Sequence, residues 1–255
     1  MKRTAWMACV MVLTAAAAGA VEFGFESSVE DWTSVSDAQG VSNFGAADGV
    51  LGFDYVTPTS PFDPMIISPA VSIPGARDNW LILNVNLTAA AGAGAQMFQL
   101  FFATPTQGFS EAQSRTFAVT PNLGWQTVIV DLAEAQSGRD PWPATVSRFR
   151  LDPGSNPTYL VGYRFELDSI AITYDTDGDN IPDDSELLYW GNLDAADATS
   201  DYDDDLIPDR VEIQFGLNPL VDEGVSLPVG HGLWAAVLAG TLIAAAAFVT
   251  RRRTA

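Results

Sequence analysis

The 255-residue sequence almost lacks three kinds of side chain: it has one cysteine, Cys9, one histidine, His231, and one lysine, Lys2. A disulfide framework needs pairs of cysteines, so none can hold this chain together. Ser-His-Asp, Cys-His and histidine-ligated zinc chemistry also lack their parts. Two carboxylates can still hydrolyse a glycoside, but no acidic pair in residues 21–174 has a distinctive setting. We therefore expect a protein that is not an enzyme.

Positive charge is also scarce in the main part of the chain. All 32 acidic residues lie between residues 21 and 223, with only seven arginines among them, which gives a formal charge of 7 − 32 = −25. Such a surface repels nucleic acid and anionic lipid and attracts cations. Nucleic acid is therefore excluded as an expected partner, and a divalent cation is favoured.

Long apolar runs occur only at the two ends of the sequence. Residues 1–20 have a charged start, an apolar run and a final Ala-Gly-Ala, which predicts a secretory signal; a retained N-terminal helix is the alternative. Residues 233–250 are apolar and precede three arginines in residues 251–255. Eighteen helical residues reach about 27 Å, enough to span a bilayer core; a buried core helix is the alternative. We expect an exported body with a C-terminal transmembrane anchor and a cytoplasmic basic tail.

The segment 226–253 combines a Pro/Gly-containing lead, an apolar run and an arginine cluster. This layout resembles the C-terminal sorting tails of bacterial surface proteins that exosortase-like or rhombosortase-like enzymes process. Residues 227–230, Leu-Pro-Val-Gly, match none of the named signatures closely. The resemblance implies a sorting protease as a partner and a location at the cell surface or outer envelope. It leaves open whether the tail is cut or retained.

Residues 21–174 have the pattern of an all-β domain. Short segments are apolar or alternate apolar and polar residues, and Pro and Gly punctuate the chain between them. The segments are 80–87, 97–102, 116–119, 125–130, 147–151 and 164–172. Many short strands without helical periodicity predict a mainly β fold, an antiparallel jelly-roll sandwich.

Parts of this domain resemble the galactose-binding-like jelly rolls, which include many carbohydrate-binding modules of secreted glycosidases. The matching residues are Phe23-Gly24-Phe25-Glu26, Glu30-Asp31-Trp32, Trp125-Gln126-Thr127-Val128, Phe149-Arg150-Leu151-Asp152-Pro153 and Glu166-Leu167-Asp168-Ser169-Ile170. The resemblance implies a structural calcium ion between Glu26 and Asp168, with two solvated acids as the alternative. It also implies a glycan as ligand, bound by exposed aromatic rings. The candidate rings are Trp32, Trp80, Trp125, Trp142, Tyr55, Tyr159 and Tyr163, of which Trp32 and Trp125 match positions that are usually buried.

Residues 175–221 contain two acidic loops with the same spacing. In DTDGDNIPDDSE, residues 175–186, positions 1, 3, 5, 9 and 12 are Asp175, Asp177, Asp179, Asp183 and Glu186, and Ile181 offers its carbonyl at position 7. In DYDDDLIPDRVE, residues 201–212, the same positions are Asp201, Asp203, Asp205, Asp209 and Glu212, with the carbonyl of Ile207. This is the ligand schedule of an EF-hand-type calcium loop. A bound cation explains how so many repelling carboxylates can be tolerated.

The second loop differs from the first at two turn positions. Position 4 is Gly178 in the first loop and Asp204 in the second, and position 6 is Asn180 in the first and Leu206 in the second. Leucine is strained at positive φ, whereas asparagine tolerates it. We expect the second loop to bind calcium more weakly or with a shifted geometry.

Each loop is expected to lead into a short helix, over residues 185–190 and 210–215, closed by a glycine. Four residues at equivalent repeat positions are expected to pack the two units together: Leu187, Tyr189, Ile213 and Phe215. The pattern D-x-D-x-D-x-I-P-D-x-x-E resembles bacterial thrombospondin type 3-like repeats, and more distantly dockerin modules. A disordered acidic linker is the alternative.

These observations lead to three functional hypotheses. The first is a non-enzymatic surface protein whose sandwich is displayed on a calcium-stiffened stalk, residues 175–221, joined by a linker, residues 222–232, to the membrane helix. The second is a carbohydrate-binding protein, or an accessory module for polysaccharide degradation. The third is a dockerin-like module that binds another surface protein.

Overall fold

A computed structural model describes residues 21–197, 199–214 and 217–222. The parts of the sequence prediction outside these ranges are the signal segment 1–20, Phe215, nearly all of the linker 222–232, the apolar segment 233–250 and the basic tail 251–255. Within the described ranges, no helix has the length and apolar character needed to cross a membrane.

The described residues form eleven strands and a few short helices. The strands are β1 (Val21–Phe23), β2 (Thr33–Ser34), β3 (Val41–Ala47), β4 (Val50–Tyr55), β5 (Ile66–Ile67), β6 (Trp80–Leu87), β7 (Gln96–Ala103), β8 (Ser114–Val119), β9 (Trp125–Asp131), β10 (Arg148–Asp152) and β11 (Arg164–Thr173). The helices are a 3-10 turn (Asp37–Gln39), α1 (Pro157–Leu160), α2 (Asp183–Tyr189) and α3 (Asp209–Gln214).

The strands make two antiparallel sheets. The six-stranded sheet has the order β3-β4-β11-β6-β9, and β1 pairs with β11 beyond the part of β11 that β4 covers. The five-stranded sheet has the order β2-β5-β10-β7-β8. The prediction of a mainly β, antiparallel sandwich is therefore confirmed, and all six predicted segments are strands.

The core lies between the two sheets, because alternate residues of each strand point inward. In β6, Leu81, Leu83, Val85 and Leu87 are buried in this core, while the residues between them face outward. The predicted aromatic Trp32 is also in the core, where its ring packs edge-on against Phe149 at a centroid distance of 5.3 Å. The opening motif therefore serves packing, as the resemblance implied for Trp32.

The hairpin of β3 and β4 is absent from the sequence prediction. Its turn consists of Asp48 and Gly49, which both have positive φ, as a tight hairpin turn requires. The strand β3 is rich in small residues and contains Asn43 at positive φ within an irregular stretch of the pairing. Such a strand has weak β-propensity, so only the Asp-Gly pair marked the hairpin in the sequence.

A second, smaller apolar cluster lies outside the sandwich core. It joins Ile129 of β9 to Ile181, Ala196 and Ile213, with Trp80 and Ile82 of β6 packed against it. The residues of β6 and β9 face outward from the six-stranded sheet, and the others belong to residues 175–214, the region of the acidic loops. The acidic loops therefore pack on the outer face of this sheet.

Candidate metal centre and ligand groove

The first acidic loop follows β11 directly and runs into α2. One carboxylate oxygen from each of Asp175, Asp177 and Asp179 lies within 4.8 Å of the others. Two oxygens that bind one Ca²⁺ at 2.3–2.6 Å are at most about 5 Å apart, so these three can share an ion. Asp175 also accepts hydrogen bonds from the backbone N–H groups of Gly178 and Asn180, at 2.7 and 2.9 Å, which fixes the curvature of the loop.

The twelfth residue of this loop, Glu186, is fully buried, with 0% of its surface exposed. Neither of its carboxylate oxygens accepts a hydrogen bond from the described residues. Burial, together with the nearby carboxylates of Asp179 and Asp177, raises the pKa of Glu186 from 4.5 to about 8. A buried carboxylate that faces other acids without a donor must take up a proton or bind a cation between them.

The ninth residue, Asp183, has a different role from the three aspartates before it. Its two carboxylate oxygens accept hydrogen bonds from the backbone N–H and the hydroxyl of Thr176, both at 2.6 Å. Its own N–H donates to the carbonyl of Tyr174 at 3.0 Å. Asp183 therefore ties the start of α2 to the end of β11, and its action as a calcium ligand stays a prediction.

The second acidic loop repeats this arrangement. Carboxylate oxygens of Asp201, Asp203 and Asp205 again lie within 4.8 Å of one another. Asp209 accepts a hydrogen bond from the N–H of Tyr202 at 2.8 Å, as Asp183 does from Thr176 in the first loop. Glu212 is as fully buried as its counterpart. Both loops thus offer donor sets that fit a hard divalent cation.

Position 6 of both loops has the left-handed backbone that the sequence analysis expects. Asn180 has a φ of 73° and Leu206 a φ of 76°. At position 4, Gly178 has a φ of 78° and Asp204 a φ of 62°. The Leu206 side chain is 86% exposed, so packing does not offset the strain of its backbone.

The structure gives the proposed sandwich ion less support than the loops. Asp168 accepts a hydrogen bond from the amide of Asn84 at 3.0 Å, and Glu26 is an exposed side chain beside Gly49. The described residues bring no group of three acidic side chains together at this place. An ion held by Glu26 and Asp168 stays a prediction.

Most of the aromatic rings suggested for sugar stacking are not free. Tyr55 is buried, Trp142 donates its indole N–H to the carbonyl of Asp78 at 3.0 Å, and Trp80 lies in the cluster with the acidic loops. Tyr159 is half-buried. Two of the seven rings are well exposed, Tyr163 and Trp125, the latter at 47%. Trp125 therefore faces solvent, contrary to what the resemblance implied for it.

A groove of about 440 Å³ crosses the outer face of the five-stranded sheet. Its floor includes Met97, Gln99 and Phe101, which alternate along β7, and the guanidinium of Arg150 stacks over the Phe101 ring at 4.5 Å. The carboxylate of Asp152 accepts hydrogen bonds from Arg150. The groove thus combines an apolar floor with fixed hydrogen-bonding groups.

Sequence analysis missed this groove because its residues come from strands that are distant in the sequence. The alternation in β7 does place Met97, Gln99 and Phe101 on one face. The position of Arg150 beside Phe101, however, depends on the register between β7 and β10, which pairs these two residues.

No protein-family model and no curated protein matches the chain. Among solved structures, it is similar to BiXyn10A CBM1 in its apo form, at 12% identity and a TM-score of 0.40, over 60% of this chain and 96% of that one. It is similar to the K1 cleaved adhesin domain of Lys-gingipain from Porphyromonas gingivalis W83, at 15% identity and a TM-score of 0.37, over 61% and 98%. It is also similar to CsCBM6-3 from Clostridium stercorarium, determined with cellobiose, at 11% identity and a TM-score of 0.34, over 59% and 90%. Identities of this size carry no statement about a shared ligand.

Proposed function

We propose that the two acidic loops bind calcium and brace a non-enzymatic, exported surface protein that displays its β-sandwich to a ligand. The observation that carries this proposal is Glu186, a fully buried carboxyl group with no hydrogen-bond donor among the described residues, set against four other carboxylates. A divalent cation supplies the positive charge that such a cluster needs.

The residues that would hold each ion follow from the geometry of the loops. In the first loop they are Asp175, Asp177, Asp179, Glu186 and the carbonyl of Ile181. In the second loop they are Asp201, Asp203, Asp205, Glu212 and the carbonyl of Ile207. The ninth-position acids Asp183 and Asp209 remain predicted ligands, and their carboxylates also close the loops by accepting hydrogen bonds from residues 176 and 202. This gives oxygen donors only, which suits calcium better than a transition metal.

Isothermal titration of the full chain with CaCl₂ tests this proposal. We expect heat with a stoichiometry of two ions and loss of one ion in Asp175→Asn. Asp184→Asn is a matched control, because Asp184 is an exposed acid of the same acidic loop segment, 175–186, that is absent from the ligand set. It removes the same charge and should leave both ions bound. If millimolar calcium gives neither heat nor a spectral change in the wild type, the proposal is wrong.

The groove supports glycan binding as a second candidate function. Met97 is 52% exposed and shares a strand face with Phe101. The Gln99 amide, held by hydrogen bonds that it donates to Glu111 and Ser114, and the guanidinium of Arg150 place fixed polar groups next to this apolar surface. Apolar stacking surfaces flanked by fixed polar groups suit sugar rings, whose faces are apolar and whose edges carry hydroxyls.

A glycan array of plant, algal and bacterial polysaccharides, probed at millimolar calcium, tests this candidate. Met97→Ala combined with Gln99→Ala should weaken any binding at least tenfold. Trp125→Ala, on the other sheet, is the matched control and should leave binding at the groove unchanged. Silence of the wild type across the array, or equal binding by the groove variant, would count against a glycan in the groove.

The anchoring part of the proposal concerns residues outside the described ranges. We propose that residues 1–20 direct export and that residues 233–250 anchor the protein in the membrane. Cleavage of this tail by a sorting protease would release the protein from that anchor. Proteolysis of intact cells, with detection of the sandwich, tests the location. The sandwich should be cleaved or released from outside; full protection in intact cells would contradict export. Capture of a surface protein through the exposed side of residues 175–221 would instead support the docking alternative.

A further inference from the structure

Ile181 belongs to the first acidic loop and to the second apolar cluster at the same time. Its backbone N–H donates to the carboxylate of Asp179 at 2.8 Å, and its carbonyl is the seventh-position group of the loop. Its side chain is fully buried against Ile129, with Trp80 and Ile82 packed on the same cluster. The shape of the loop therefore decides where this side chain lies.

Two further contacts hold the first loop at the edge of the sandwich. The hydrogen bonds of Asp183 join the loop to Tyr174, directly after β11. The guanidinium of Arg77, which lies shortly before β6, stacks on the Tyr174 ring at 4.6 Å. The loop is thus attached to the sandwich by Tyr174 just before it, by Asp183 at the start of α2 and by Ile181.

We infer that calcium in the first loop locks the region 175–214 onto the outer face of the six-stranded sheet, with Ile181 as the connecting residue. The inference rests on the proposed calcium binding. Without the ion, the carboxylates of Asp175, Asp177 and Asp179 repel one another and disfavour the loop conformation that inserts Ile181. Because metal binding and local folding are coupled, loss of the ion should withdraw this side chain and expose the face formed by Trp80, Ile82 and Ile129.

Hydroxyl-radical footprinting of the full chain, with and without calcium, tests this inference at the level of single side chains. Oxidation of Trp80 should rise several-fold when calcium is removed. Trp32, which is 2% exposed in the sandwich core, and Trp125, which is exposed on β9, serve as internal references that should not change. Equal oxidation of Trp80 in both conditions, in a protein that titration shows to bind calcium, overturns the inference and leaves the proposed function intact.

Two matched variants distinguish the role of the Ile181 side chain from the role of the ion. Ile181→Ala keeps the backbone carbonyl but removes the buried side chain, so it should still bind calcium while Trp80 stays oxidisable at saturating calcium. Ile207→Ala makes the same change at the equivalent position of the second loop, where the side chain is only half-buried, and should leave Trp80 protected. Protection of Trp80 in Ile181→Ala equal to that in the wild type overturns the inference. Absence of calcium heat in the wild type overturns the proposed function instead.

Discussion

The two acidic loops have nearly the same backbone but very different surroundings. Their carboxylate triads, their buried twelfth-position glutamates and their position-6 φ angles of 73° and 76° agree closely. Their apolar residues do not agree: Ile181 is fully buried and Ile207 half-buried, whereas Leu187 is 41% exposed and its counterpart Ile213 is 3% exposed. The repeated feature is the donor set, and each copy contributes a different residue to the sheet.

This difference shows how two copies of one unit can both pack on the same sheet face. The outer face of the six-stranded sheet offers one apolar area, so two identical units cannot both cover it in the same way. The first loop reaches it with position 7, and the second reaches it with the residue after position 12. Substitutions at paired positions should therefore have unequal effects on stability and similar effects on ion binding.

The largest expected effect is the pH dependence of the calcium-free protein. The pKa of Glu186 is raised from 4.5 to about 8 in the folded chain, so the folded state binds more protons than the unfolded state between these values. The contribution of Glu186 to stability should be fully present below about pH 4.5 and should be lost as the pH rises to about 8. The free energy of unfolding of the calcium-free protein should therefore be lower at pH 8 than at pH 5.

Urea unfolding of calcium-free protein at pH 5 and pH 8 measures this slope. Glu186→Gln should remove the first loop's contribution to the change of unfolding free energy with pH. The same measurement on Glu212→Gln shows how much the second loop contributes to that change. A wild-type stability that is independent of pH over this range would contradict the buried charge cluster.

The next effect is on calcium affinity. Glu186→Gln removes one carboxylate from the ligand set proposed for the first loop, and we expect about a 100-fold loss of calcium affinity at that site. Glu212→Gln should do the same at the second site. Leu206 strains the second loop, which is the site that remains in Glu186→Gln. This remaining site should therefore bind calcium more weakly than the first loop, which remains in Glu212→Gln. Equal residual affinities in the two variants would show that the loops are equivalent despite Leu206.

The apolar residues that follow the two glutamates should differ in their effect on stability. Ile213→Ala removes a buried side chain from the second cluster and should cost about 2–3 kcal/mol. Leu187→Ala, at the matching position, should cost no more than about 0.5 kcal/mol. Urea unfolding in saturating calcium measures both. A similar cost for the two variants would mean that the asymmetry in burial has no energetic consequence.

The smallest expected effect concerns the turn at position 6. Leu206→Asn should stabilise the second loop by about 1 kcal/mol, because asparagine accepts positive φ better than leucine. Asn180→Leu in the first loop should destabilise by a similar amount. Thermal unfolding at fixed calcium concentration checks both, and a neutral or destabilising Leu206→Asn would remove the explanation offered for a weaker second site.

The sequence predicted the parts of the structure that depend on local order. Alternation in residues 80–87 matches β6 residue for residue, and the spacing of acids in residues 175–186 places Asp175, Asp177 and Asp179 close together, because all three lie within one turn-rich segment. Helix α2 begins at Asp183, two residues before the predicted start, because residues 185 and 186 already donate to the carbonyl of Pro182.

Features that depend on pairing between distant segments escaped prediction. The contact of Phe101 with Arg150 follows from strand register, and the burial of Ile181 depends on a sheet face that is far away in the sequence. Of the four residues expected to pack the two units together, Ile213 and Tyr189 do lie in one cluster, whereas Leu187 is 41% exposed and Phe215 is outside the described residues. Repeat symmetry therefore predicted that the units share a contact, but not that the contact would use different positions of the two copies.

The pairing of β1 with β11 brings the entry and exit of the sandwich side by side, since Val21 lies opposite Ile172. A unit whose ends meet in this way can be inserted into a surface loop of a host protein without forcing that loop apart. A pulling force applied through both ends would separate these two strands one hydrogen bond at a time, beginning at the ends.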